Sequence, residues 1–97
     1  MYARLTSMDI KVDRIDEGIR IYEKSVVPAA KLQKGFLAAY LLSDRKTGKA
    51  LSLTFWKTEE HALANERNRY YQEQLVKFLE LFKSQPIREG FEVSVKA

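Results

Sequence analysis

A chain of 97 residues has room for one domain with a modest core, and 45% hydrophobic against 31% charged residues is the balance of a globular protein rather than a disordered one. The absence of cysteine excludes disulfides, thiol nucleophiles and Cys-ligated metal sites, and makes a cytoplasmic location the expectation. The formal net charge of +4 is interleaved with acids, and its densest run, Arg45-Lys46-Thr47-Gly48-Lys49, has the look of an exposed turn, so nucleic acid is not an expected partner.

The opening Met1-Tyr2-Ala3-Arg4-Leu5-Thr6 lacks the basic-then-apolar run of a leader, and no apolar stretch approaches the ~20 residues of a membrane span. A soluble protein with no membrane partner is expected. Residues 2–12 alternate in polarity with a period of two and predict a first strand. Asp13 is placed to cap a helix, with Asp16 and Glu17 in its first turn. Ile15, Ile19, Tyr22 and Val26 form its apolar stripe, Pro28 predicts a kink or restart, and Gly35 is the natural stop. Gly18 reads as tolerated on an exposed helix face.

Phe36 to Ser43 and Ala50 to Trp56 predict a hairpin of two strands joined by Asp44-Arg45-Lys46-Thr47-Gly48. Thr58 is placed to cap a second helix, with Glu59 and Glu60 after it. The polar run Asn65-Glu66-Arg67-Asn68-Arg69 predicts an interruption, after which Tyr71, Leu75, Phe78, Leu79 and Phe82 resume an apolar stripe that Ser84-Gln85-Pro86 ends. Ile87 to Val95 alternates as a last strand. The order β-α-β-β-α-β is that of a ferredoxin-like α+β fold: one antiparallel four-stranded sheet, helices on one face, a single domain over residues 1–97.

Alternation divides the sheet into two sets. The expectation is that the helices cover Leu5, Leu37, Ala39, Leu41, Leu51, Leu53, Phe55, Phe91, Val93 and Val95. The other face would then carry Tyr2, Arg4, Thr6, Met8, Phe36, Ala38, Tyr40, Leu42, Ser52, Thr54, Trp56, Glu92 and Ser94, with Tyr40 opposite Ser52 and Phe36 opposite Trp56. Three aromatics there make a patch of roughly 300 Å² even when half exposed, at the upper end of what monomers show. A second copy of the chain is the expected cover, as a homodimer or a higher oligomer. The polar groups among the aromatics predict a small-molecule cavity between the sheet and the partner copy.

Three segments resemble the antibiotic biosynthesis monooxygenase (ABM) domain family of small dimeric α+β barrels. They are Tyr2-Ala3-Arg4-Leu5-Thr6, Val27-Pro28-Ala29-Ala30 leading to Lys34-Gly35-Phe36, and Leu53-Thr54-Phe55-Trp56-Lys57-Thr58-Glu59-Glu60. The resemblance spans nearly the whole chain. It implies a cofactor-independent monooxygenase-like protein, an oxidoreductase acting on a small aromatic or quinol compound. Trp56 matches the strand-end tryptophan that lines the cavity of some aromatic oxygenases, whereas Ser52 stands where they carry asparagine. The haem-degrading branch needs a first-strand asparagine and a helical histidine; here the asparagines are Asn65 and Asn68 and the one histidine is His61, so haem degradation is not expected.

Within this reading Trp56 stacks on the substrate, Arg4 and Tyr40 polarise a phenolate or enolate, and Glu92 serves as the base. Thr6, Met8, Phe36, Ser52 and Thr54 line the cavity. No cofactor or metal is expected, since a lone His61 beside Glu60 reads as solvated surface. The alternative is a non-catalytic, small-molecule-binding or stress-associated homodimeric module. Lys34-Gly35-Phe36-Leu37-Ala38-Ala39-Tyr40 is similar to the central signature of RNA-recognition motifs, but it opens the second strand instead of lying on the third, which argues against RNA.

Overall fold

The period-two pattern at the start of the chain forms β1 (Tyr2–Asp9) in a computed structural model that describes residues 1–97. A 3-10 turn, Val12–Arg14, leads into α1 (Ile15–Ile21), a π-helical turn over Tyr22–Val26, and α2 (Val27–Lys31). Asp13 does not cap α1: the chain begins to coil one residue earlier, and no side chain accepts from the helix terminus. Pro28 acts as predicted by disturbing the helix, and the disturbance lies ahead of it. Proline offers no N–H to the carbonyl of Lys24, and its ring crowds that carbonyl. The widened turn, with the Val27 N–H bonded to the Tyr22 carbonyl, relieves both.

Gly35 (φ 84°) ends this arm in the left-handed region. The hairpin β2 (Phe36–Ser43) and β3 (Lys49–Trp56) follows, then α3 (Glu59–Arg67), α4 (Tyr70–Val76), a 3-10 turn at Leu79–Leu81 and β4 (Ile87–Glu92). Thr58 caps α3 as expected, its Oγ1 accepting from the His61 N–H at 3.1 Å. The interruption also lies where the polar run predicts it, at Asn68 and Arg69. The strands assemble in the order β2-β3-β1-β4, all antiparallel, the arrangement of the ferredoxin-like fold.

The register reverses the expected assignment of the two faces. Arg4 pairs with Thr54 and Gly90, and Thr6 with Ser52 and Arg88, while Met8 pairs with Ala50. Trp56, Thr6, Met8 and Ala50 are buried under the helices, so this is the covered face. Leu5, Leu51, Leu53, Phe55 and Phe91 occupy the other one. In β2 a bulge at Leu37 shifts the pleat: Phe36 still pairs with Trp56, but Leu41 rather than Tyr40 faces Ser52. Ala39 and Leu41 therefore turn into the core, as expected of them, and Ala38, Tyr40 and Leu42 turn outward. Val93 and Val95 lie beyond β4 and cover nothing in the core.

The core gathers Met8, Ile10, Tyr22, Val26, Ala50, Phe78 and Leu81. Two local expectations change with it. Gly18 is buried, not exposed: a Cβ there would lie 3.3 Å from Ile10 Cδ1, so the glycine lets α1 approach the sheet closely. In the second helical arm Tyr71, Leu75, Phe78 and Phe82 face inward as expected and Tyr70 and Leu81 join them, whereas Leu79 is 57% exposed, because the break at Arg69 and the 3-10 turn rephase the stripe.

Candidate functional site

Between the covered face of the sheet and its own helices lies a half-open pocket. It holds about 540 Å³ of empty space, part of it continuous with solvent. Its floor is Thr6 and Met8 from β1, Ser52, Thr54 and Trp56 from β3, and Arg88 from β4. These positions share a face because they alternate along strands held in the register above. Tyr22 and Val26 enter from the π-helical turn, both buried on its inward side. The roof is Tyr70, Tyr71, Gln74 and Leu75 from α4, closed by Phe78.

The polar groups that β3 contributes to the floor find partners within the chain. The Tyr22 hydroxyl lies 2.9 Å from Ser52 Oγ and donates to the Tyr40 carbonyl at 3.3 Å. The Trp56 indole N–H donates to Thr54 Oγ1 at 3.0 Å, and the ring meets Phe36 edge-on, with centroids 5.7 Å apart. Burial pushes both inward phenols up, with Tyr70 reaching about 12 through burial and then the nearby Tyr22, against the opposing pull of Arg88; at Tyr22 the hydrogen bond to Ser52 works the other way. Both are therefore donors at neutral pH, not bases.

Arg88 is the one formally charged side chain in the lining. Its guanidinium carbon sits 3.6 Å from the centre of the Tyr71 ring, a cation–π contact. Behind it, Glu66 of α3 bonds Arg4 and lies 3.3 Å from Arg88 Nε, while Arg88 Nη2 donates to Asn65 Oδ1 at 3.3 Å. Burial pulls Arg88 below the usual guanidinium range, opposed first by Glu66. The cluster ties α3 to β1 and β4.

Of the residues the sequence suggests, the pocket brings together Trp56, Thr6, Met8, Ser52 and Thr54, under the chain's own helices instead of against a partner. Arg4 is adjacent, linked through Glu66, and Phe36 backs the tryptophan. Tyr40 is 55% exposed on the outer face, where the bulge turns it, and its ring packs edge-on against Phe55. Glu92, at the exposed end of β4, does not line the pocket. His61 is half-buried, not solvated: its ring occupies the space a Cβ on Gly35 would fill, and Nδ1 lies 3.0 Å from Thr58 Oγ1. The residues missed are Arg88, Tyr70 and the roof. Arg88 shares the parity of Glu92 on the last strand, and that parity was the available signal.

No protein-family model matches the chain. Two curated relatives, the uncharacterised proteins Rv2557 and MT2634 of Mycobacterium tuberculosis, are each 38% identical over 66 residues, which is 68% of this chain. The matched region spans 28% of the length of those relatives. Among solved structures, a monooxygenase from the ActVA-Orf6 gene of Streptomyces coelicolor, in complex with nanaomycin D, superposes with a TM-score of 0.80 at 11% identity, covering 99% of this chain and 89% of that one. A crystal structure of an antibiotic biosynthesis monooxygenase gives 0.78 at 14% identity, covering 98% and 100%. The NE2512 protein of unknown function from Nitrosomonas europaea gives 0.81 at 16%, covering 99% and 91%. At these identities the likeness is one of architecture: the chain has the ferredoxin-like fold of the antibiotic biosynthesis monooxygenase proteins.

Proposed function

We propose that the chain is a cofactor-independent monooxygenase-like protein that takes a small aromatic or quinol compound into the pocket beneath its helices and works as a homodimer through the outer face of its sheet. The observation that carries this reading is the pocket itself: apolar and aromatic walls, neutral hydroxyls at Tyr22, Ser52 and Thr54, and a single cation, Arg88. Oxygenation of an anthrone-type CH₂ needs no outside reductant. One oxygen atom enters as the carbonyl, the other leaves as water, and the substrate supplies both hydrogens and all four electrons.

The lining contains no carboxylate and no imidazole. The substrate must therefore be acidic enough to ionise without a general base, and the work left to the protein is to hold the resulting anion. Arg88 and Thr54, whose hydroxyl accepts from Trp56 and keeps its own proton, supply preorganised positive ends for that purpose. The missing base is also the observation that favours a second reading, a non-catalytic binding module that holds an aromatic metabolite in the same pocket.

Oxygen uptake by the full chain against a panel of hydroquinones and anthrones separates the two. Under the first reading a panel member is consumed with matching oxygen loss, and Trp56→Phe slows it by about tenfold with an unchanged far-UV spectrum, since contacts that position the reacting ring are worth factors of this size. No uptake, together with a small molecule that survives into native mass spectrometry, overturns oxygenation in favour of binding.

A further inference from the structure

The charges behind the pocket do not balance. Two guanidiniums, Arg4 and Arg88, with side chains 14% and 13% exposed, share one carboxylate, that of Glu66. Arg4 Nε and Arg88 Nη1 are buried with no hydrogen-bond partner in the chain. The Tyr71 ring and the Asn65 amide soften the Arg88 charge without cancelling it. A buried cation left over in this way is costly unless something anionic arrives to meet it.

The register adds a direction. Ser52, Thr6 and Arg88 form one row across β3, β1 and β4, two inter-strand steps long, or about 10 Å. At one end of that row stands the Ser52–Tyr22 hydroxyl pair, and at the other the unbalanced cation. A flat two-ring system with a hydroxyl at one end and an acid at the other matches both ends.

We propose that the pocket selects an aromatic carboxylate, its acid group pairing with Arg88 and its phenolic hydroxyl donating to the Tyr22–Ser52 pair. This rests on the reading of the pocket as an aromatic site and narrows it to anions. Arg88 is the residue that sets the choice. Arg4 holds Glu66, and so limits how much of the Arg88 charge that carboxylate can satisfy.

Isothermal titration of the full chain with 6-hydroxy-2-naphthoate and with 6-hydroxy-2-naphthamide tests this, because the two differ in charge and hardly in shape. The acid is expected to bind at least about tenfold tighter, the scale of a charge-assisted hydrogen bond. Arg88→Gln should remove the advantage by weakening the acid while the amide stays within about twofold, and Arg88→Lys should restore part of it. Equal affinity of acid and amide, or an advantage that survives in Arg88→Gln, overturns the selection of anions; oxygen uptake with neutral quinols would then leave the function reading standing. If neither compound binds and no quinol is consumed, both fall. Should Arg88→Gln fail to fold, the wild-type comparison and Arg88→Lys still decide.

Discussion

Tyr70 closes the pocket from α4 with its hydroxyl held at about 12, above the 10.0 of a free phenol, chiefly because burial disfavours the phenolate. The folded state thus keeps a proton that the unfolded chain releases more easily. Its stabilising contribution is complete below pH 10 and is lost as pH rises from 10 towards 12. From Tyr70 alone, urea midpoints at pH 9 and pH 11.5 should differ by an amount equivalent to about 2 kcal/mol, a drop that Tyr70→Phe should lack. The buried Tyr22 phenol shifts the same way and accounts for a remainder. At this scale the sequence was informative wherever alternation alone decides placement: Thr6, Met8, Ser52, Thr54 and Trp56 do share a face with one another. It misled at Tyr40, where a single extra residue in β2 reverses the side, and no composition signal marks Leu37 as that residue. Glu92 misled for a different reason. Its parity is right, but the strand stops there, and Arg88 further in reaches the pocket instead.

Arg69 joins α3 to α4 at φ 72°, a left-handed conformation that L-residues with a Cβ adopt at a cost of roughly 1–2 kcal/mol. It is exposed, so its replacement disturbs no packing. Arg69→Gly should raise the urea midpoint by an equivalent of about 0.5–1 kcal/mol with an unchanged denaturant slope, the relief of strain being partly offset by the freer unfolded chain. A lowered midpoint would mean that the junction is held by the arginine side chain. The α4 roof is otherwise pinned from its flanks: Asn68 Nδ2 donates to Gln33 Oε1 at 2.8 Å, Ser25 Oγ donates to Gln74 Oε1 at 2.8 Å, and Lys77 bonds Ser25. The break between the helices was legible as a polar run with no apolar face to bury. The π-helical turn was not, because Pro28 signals a disturbance without saying whether the chain will kink, restart or widen.

The whole molecule presents an outer sheet face that none of its own elements covers. Tyr40, Leu42 and Phe91 there are each about half exposed, at 55%, 47% and 51%, and Leu5, Leu51, Leu53 and Phe55 lie between them. An apolar area of this extent is the mark of an association surface, and a second copy of the chain is its proposed occupant. Leu53→Glu sets a carboxylate in the middle of it. Sedimentation velocity should show the wild-type chain as a dimer at micromolar concentration and the variant as a monomer; a wild-type monomer throughout that range would remove the proposed assembly. That a face would be left bare was legible from the sequence, since both sets of alternating residues contain large apolar side chains. Which face was not, because alternation sorts residues into two groups without saying which group meets the helices. The partners that settle it, Tyr22 for Ser52 and Glu66 for Arg4 and Arg88, come from the helices and are distant in sequence.

One strand therefore answers to two masters. Along β3 the even positions Ser52, Thr54 and Trp56 look toward the cavity, with Ala50 beside them in the core, and the odd positions Leu51, Leu53 and Phe55 look away from it. Neighbours joined by a peptide bond are thus free to change independently, so the lining of the proposed site can be rewritten at every second residue while the proposed association surface stays as it was.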